Sequence, residues 1–166
     1  MATLPAGYPA QAFEAFEFLR SRRPLSVTDL QVLALIEGFG EFFYHQLADG
    51  VSGEAAALLR RNGQEERGHA HRLLKAIELK GGAPFALPPA AENPFVEGAP
   101  CFTASDEFLG MLAAAEVDGE RIYLGWAEGE PLAEGAKLLR QNASEEMRHS
   151  ERVGEARRLL KVATAG

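Results

Sequence analysis

The feature that most constrains how this chain can fold is that it repeats itself. The stretch LLRRNGQEERGH, residues 58 to 69, lies over LLRQNASEEMRH, residues 138 to 149, at an offset of 80. The segments before them align at an offset of 79, which pairs Glu37 with Glu116, Glu41 with Glu120 and Tyr44 with Tyr123. Such an internal repeat means one supersecondary unit built twice.

Each copy reads as a helical hairpin. The segment SVTDLQVLALIEGFGEFFYHQLADG opens with Ser26 as a helix cap and closes at Gly50. The next opens at Ser52 and stops at Gly81 and Gly82. In the second copy, a capping cluster at Thr103 to Asp106 starts a third helix, and Pro131 sits at the first turn of a fourth that runs to about Lys161. Between the copies, residues 81 to about 102 carry Pro84, Pro88, Pro89, Pro94 and Pro100, which no long helix accommodates. The spacing therefore predicts an all-α four-helix bundle, residues 26 to 166, made of two hairpins joined by a long Pro-rich crossover. No alternating strand pattern of useful length occurs. Residues 1 to 25 form an extension in which Phe13, Phe16 and Leu19 predict a short helix over about 9 to 22, closed by SRRP.

Composition narrows the class of partner. With 46% hydrophobic and 25% charged residues, the 166-residue chain has the make-up of an ordinary globular domain with one core. A net charge of −7 argues against a nucleic-acid backbone or an anionic membrane surface as the main partner. There is no basic start followed by an apolar run, and no stretch approaches eighteen apolar residues, so a soluble, cytoplasmic protein is expected. Cys101 is the single cysteine, which leaves no intramolecular disulfide and no Cys-x-x-Cys site, and it reads as an inert thiol.

The repeat also concentrates chemistry. Glu66-x-x-His69 recurs as Glu146-x-x-His149, and three-residue spacing puts each pair on one helix face. Of the four histidines only these two recur; His45 and His71 align with Leu124 and Glu151 and read as surface or satisfied residues. On the other two helices, Glu37 and Glu116 follow the apolar runs LALI and LAAA on the faces that carry Tyr44 and Tyr123. Unpaired carboxylates on a core-facing stripe cost several kcal/mol each, and two divalent cations would offset that cost. Four carboxylates cancel two ferrous charges, and two neutral imidazoles complete the ligand set. One Glu from each of two helices with Glu-x-x-His from each of the others is the dinuclear carboxylate arrangement of four-helix bundles. Oxygen-rich ligands with one histidine per ion suit iron first, then manganese, with zinc as a substitute. Glu41 and Glu120 stand one turn further along and face either the ions, solvent or a partner subunit. Tyr44 and Tyr123 read as residues that hydrogen-bond near the ligands or take part in redox chemistry, with ordinary core packing as the alternative. Glu65 and Glu145 recur one position round from a ligand and read as solvated, while Trp126, Phe42 and Phe43 read as packing or a subunit interface.

On EERGHAHRL, EEMRHSER, EGFGEFFY and EVDGERIY, the chain resembles the ferritin-like superfamily, and within it the rubrerythrin family, over roughly residues 26 to 161. That family places its single-Glu ligands seven residues before a tyrosine or similar residue near the metals, which the resemblance carries onto Glu37 and Glu116. Two departures matter. Rubrerythrins have a further glutamate three residues after the third-helix ligand, where this chain has Gly119, and they carry a four-cysteine rubredoxin domain, where this chain has one cysteine. The resemblance implies a homodimeric non-haem di-iron oxidoreductase that reduces hydrogen peroxide with electrons from a separate donor protein. The alternatives are a ferritin-type ferroxidase, an oxygen-activating hydroxylase with a substrate pocket beside the metals, and a manganese enzyme that disproportionates peroxide.

Overall fold

The computed structural model describes residues 3 to 164, and among them the only regular structure is helical. Five α-helices occur: α1 Ala12–Leu19, α2 Val27–Asp49, α3 Gly53–Leu79, α4 Asp106–Gly129 and α5 Ala133–Thr164. The helix limits follow local chemistry. At the start of α2, the Asp29 amide donates to Ser26 Oγ at 3.1 Å and the Ser26 amide donates back to Asp29 Oδ2 at 2.8 Å, a reciprocal capping box. Ser105 caps α4 by accepting from the Phe108 amide at 3.2 Å. The end of α3 is a Schellman turn: Gly81 takes φ +71°, the Gly81 amide reaches the Glu78 carbonyl, and the Gly82 amide reaches that of Ile77 at 3.0 Å. Glycine enters this left-handed region without the steric penalty of a Cβ.

Three local expectations change. Ser52 makes no side-chain cap for α3. Pro131 precedes α5 instead of lying in its first turn, because Glu130 Oε1 accepts from the Leu132 amide at 3.1 Å and shapes the turn that leads into Ala133. The first helix is shorter than the predicted span, and its buried positions are Ala12, Ala15 and Leu19, whereas Phe13 is 57% exposed.

The backbones pack closely between α2 and α3, α4 and α5, and α3 and α5, whereas α2 and α4 stand further apart and meet through side chains such as Phe43 and Phe108. The core of leucine, alanine and aromatic side chains runs the length of the bundle. Over the gap between α2 and α4 lies α1. The Phe13 ring meets Phe39 and Phe43 edge-on, Phe16 meets Trp126, Arg20 pairs with Asp118, and the buried Trp126 indole donates to the Leu19 carbonyl at 3.1 Å. The extension thus packs on its own bundle, and Trp126 is part of that packing. The crossover is pinned to α2 by Asn93, whose Nδ2 donates to the Leu35 carbonyl at 2.9 Å. None of the described helices is long and apolar enough to cross a membrane.

Candidate metal centre

Glu37, Glu66, His69, Glu116, Glu146 and His149 are all buried in the middle of the bundle, each from the interior of a helix. The three- and four-residue helical steps aim them at one point. They form two overlapping groups whose ligand atoms lie within 4.8 Å of one another: Glu37, Glu66, His69 and Glu146, and then Glu66, Glu116, Glu146 and His149. Glu66 and Glu146 belong to both groups, so each group adds one glutamate and one histidine of its own. This buried cluster is able to hold metal ions, and Glu66 and Glu146 stand where its two groups overlap.

The histidines present the same nitrogen to the centre. His69 Nδ1 lies 3.3 Å from Glu37 Oε2, 3.3 Å from Glu66 Oε2 and 3.4 Å from Glu146 Oε1. His149 Nδ1 lies 3.3 Å from Glu66 Oε1, 3.7 Å from Glu146 Oε2 and 3.8 Å from Glu116 Oε2. The two rings stack with centroids 5.2 Å apart. His149 Nδ1 is fully buried with no hydrogen-bond partner, as are the outward-facing His69 Nε2 and His149 Nε2. A buried polar atom aimed at three carboxylates and bonded to none of them fits a cation held between them.

Electrostatics of the protein alone point the same way. Burial, reinforced by the Glu66 charge, lifts the Glu37 carboxyl to about 7, and burial lifts Glu146 well above the usual carboxylate range. Burial works against the charged form of His149, yet Glu66 and Glu116 outweigh it and raise the imidazole to about 10. Burial opposes charge on His69 too, and the carboxylates of Glu145, Glu146, Glu37 and Glu66 raise it well above its ordinary value. Glu66 goes the other way: burial pushes its carboxyl up, but the two histidines hold it well below the usual range. Protons therefore occupy the cluster where cations would otherwise balance the carboxylates.

Behind each imidazole stands a layer whose pattern repeats as well. Glu145 Oε2 lies 3.1 Å from His69 Nε2, and Glu65 Oε2 lies 3.3 Å from His149 Nε2. Each carboxylate is held by an arginine from the opposite helix. Arg152 forks onto Glu65 at 2.8 and 3.0 Å, and Arg72 pairs with Glu145. Those arginines also donate to Asn62 Oδ1 at 3.0 Å and Asn142 Oδ1 at 2.5 Å, and Asn62 Nδ2 donates to the His149 carbonyl at 3.1 Å. Glu65 and Glu145 are thus not solvated residues. The α3 to α5 packing turns that flank inward, and the position of a residue on one helix says nothing about the neighbour that covers it. For Glu145, burial raises the carboxyl but His69 and Arg72 bring it to about 2; for Glu65, Arg152 likewise overcomes burial and lowers it. The signal for this layer was in the repeat: Asn62, Glu65 and Arg72 align with Asn142, Glu145 and Arg152 at the offset of 80.

Tyr44 and Tyr123 are fully buried and donate across the gap, Tyr44 to Glu116 and Tyr123 to Glu37. Burial, with the neighbouring carboxylates, pushes both phenols well above their ordinary value, so they remain neutral donors. Glu41 and Glu120 belong to neither group among the described residues. Glu41 faces Arg67 at 3.5 Å and lines a separate cavity beneath the crossover with His45 and His71, while Glu120 is half-buried on α4. Gly40, rather than Glu41, faces the cluster: a Cβ there would meet Glu66 Cδ at 3.2 Å. His45 packs on Gly63, His71 is exposed, and Cys101 is an exposed free thiol. Comparison with protein-family models, with curated proteins and with solved structures returns no match.

Proposed function

We propose that this chain is a ferritin-like non-haem di-iron oxidoreductase that reduces hydrogen peroxide with electrons from a separate protein. The observation that carries this reading is the pair of four-residue groups sharing Glu66 and Glu146. Two irons held there would supply the two electrons that convert one peroxide and two protons into two waters. Glu37, Glu66, His69, Glu116, Glu146 and His149 would hold them. Neutral imidazole and charged carboxylate are the forms that bind, so loading displaces the protons of the metal-free cluster.

The remaining work belongs to the chain itself. Tyr44 and Tyr123 keep hydroxyl protons against Glu116 and Glu37 and fix the orientation of those carboxylates. Glu145 and Glu65 orient the imidazoles so that Nδ1 faces inward. Cys101, a single exposed thiol, makes no electron-transfer centre, so this reading takes its electrons from a donor outside these 166 residues.

The test is stopped-flow oxidation of anaerobically iron-loaded protein, with peroxide and dissolved oxygen at equal concentration, after counting iron per chain. Two irons oxidised much faster by peroxide support the reading. Faster oxidation by oxygen transfers it to a ferroxidase or an oxygenase, and failure to bind two irons removes the site assignment.

A further inference from the structure

The four histidines divide between two places. His69 and His149 recur in the repeat and belong to the buried cluster. His45 and His71 do not recur, and both line a second cavity of about 770 Å³ between the outer face of the first hairpin and the Pro-rich crossover. None of the six cluster residues lines this space. Glu41 and Arg67 complete its polar lining, with an Arg67 guanidinium nitrogen 3.5 Å from Glu41 Oε1. The rest is apolar: Phe42 and Leu74 come from the helices, Phe85 and Leu87 from the crossover. The duplication breaks at this lining. His45, Arg67 and His71 stand where the second copy has Leu124, Met147 and Glu151, and Phe42 stands where it has Arg121. Positions that build the cluster are thus copied, whereas, Glu41 apart, the polar groups of this cavity belong to the first hairpin alone.

We propose that this cavity binds an aromatic carboxylate of two or three fused rings, with its carboxylate on Arg67 and its rings against the helix and crossover side chains. Volume sets the size. The space falls within the roughly 300–1,000 Å³ of organic-ligand pockets and is about five times the ~150 Å³ that admits benzene. Lining chemistry sets the class. A guanidinium fork matches a carboxylate with two parallel hydrogen bonds, and the ion pair of Arg67 with Glu41 is too long to be such a bond. His71 Nδ1 donates to the Arg67 carbonyl at 2.7 Å, which ties that imidazole to the arginine's own turn of helix. The imidazole and phenylalanine rings suit a flat aromatic guest better than an aliphatic one. Glu41 limits the charge, because a carboxylate beside Arg67 disfavours a guest with two negative groups. The roof is built before any guest arrives: Pro88 and Pro89 stiffen the crossover, and Asn93 fastens it to the Leu35 carbonyl at 2.9 Å. Neither metal nor turnover enters this binding, so the inference stands or falls apart from the peroxidase reading.

The experiment titrates the full chain as purified into the carboxylate, hydroxymethyl and aminomethyl derivatives of anthracene and follows their fluorescence anisotropy. The three share one ring system and differ in charge, being anionic, neutral and cationic. Saturable binding of the carboxylate is expected, with the other two weaker by about tenfold or more. The second copy supplies the substitution: Arg67→Met places there the residue type of Met147 and should weaken the carboxylate about tenfold or more while leaving the alcohol nearly unchanged. Melting curves identify a misfolded variant, and the charge series in the wild-type protein needs no variant at all. Equal affinity for the carboxylate and the alcohol, absence of saturation up to the solubility limit, or wild-type affinity in a folded Arg67→Met protein overturns the proposal.

Discussion

The Tyr44 hydroxyl, carried by α2, donates to the Glu116 carboxylate on α4, across the wide spacing between these two helices. Tyr123 returns the same bond to Glu37, so each hairpin orients the acid of the other. A hydrogen bond to a buried charged group contributes about 1.5–3 kcal/mol. Tyr44→Phe should therefore lower the unfolding free energy by about 2 kcal/mol. Tyr123→Phe should do likewise, and the double variant should lose less than the sum if the two bonds share one alignment of α2 with α4. Urea unfolding of the four proteins measures it; a Tyr44→Phe midpoint equal to wild type contradicts the bond's role.

Metal stoichiometry should divide by ligand. Glu66 and Glu146 serve both groups, whereas Glu37 and Glu116 each serve one. Glu66→Gln should abolish tight binding of both ions, and Glu37→Gln should leave about one ion per chain. Elemental analysis after gel filtration distinguishes these outcomes. Equal loss in both variants would mean that the sharing of Glu66 has no energetic weight.

Loading should release protons. Without metal, carboxylate neighbours hold His149 at about 10 and His69 well above its ordinary value, so both are charged at neutral pH. Both must be neutral to ligate, and Glu37, lifted to about 7, adds a partial proton. Zinc added to weakly buffered protein at pH 7 should thus release at least two protons per chain, and affinity should rise with pH. Pure charge exchange with no proton release would remove the histidines from the ligand set.

Support behind the histidines should be measurable apart from the ligands. Arg152→Ala frees Glu65 from its two-pronged hold while leaving all six cluster residues in place. Loss of such an outer partner costs about 10- to 100-fold in metal affinity. Competition with a chromophoric zinc chelator reads the change, and Arg72→Ala should reproduce it through Glu145. Unchanged affinity in both would make the arginines simple helix fasteners.

Acid should weaken the start of α2. Asp29 is buried, which raises its carboxyl, but Ser26, Tyr8 and Arg22 together hold it below its ordinary value. A carboxyl depressed in the folded state contributes stability above its unfolded pKa of about 4, and that contribution disappears as pH falls through the folded value. Asp29→Asn should therefore cost more stability at pH 7 than at pH 3. Ser26→Ala should cost about 1 kcal/mol at neutral pH through the lost cap. Thermal melts at the two pH values check both.

Much of this architecture was legible because helical order is local. Glu66 with His69, and Glu146 with His149, share a face by arithmetic, and Ser26, Gly81 and the crossover prolines mark helix limits through the chemistry of one turn. The duplication identified which acids and histidines belong together, since Glu37 and Glu116 match while His45 and His71 do not. By itself, then, the sequence determined the element order, the two-hairpin plan and the six residues of the cluster. It did not say which helices touch. Rotation and separation of helices are decided by packing between residues far apart in the chain. Only the tertiary structure placed α1 over its own bundle, turned Glu65 and Glu145 towards the histidines of the opposing helices, aimed Gly40 instead of Glu41 at the acids, and held α2 from α4 widely enough to leave a cavity.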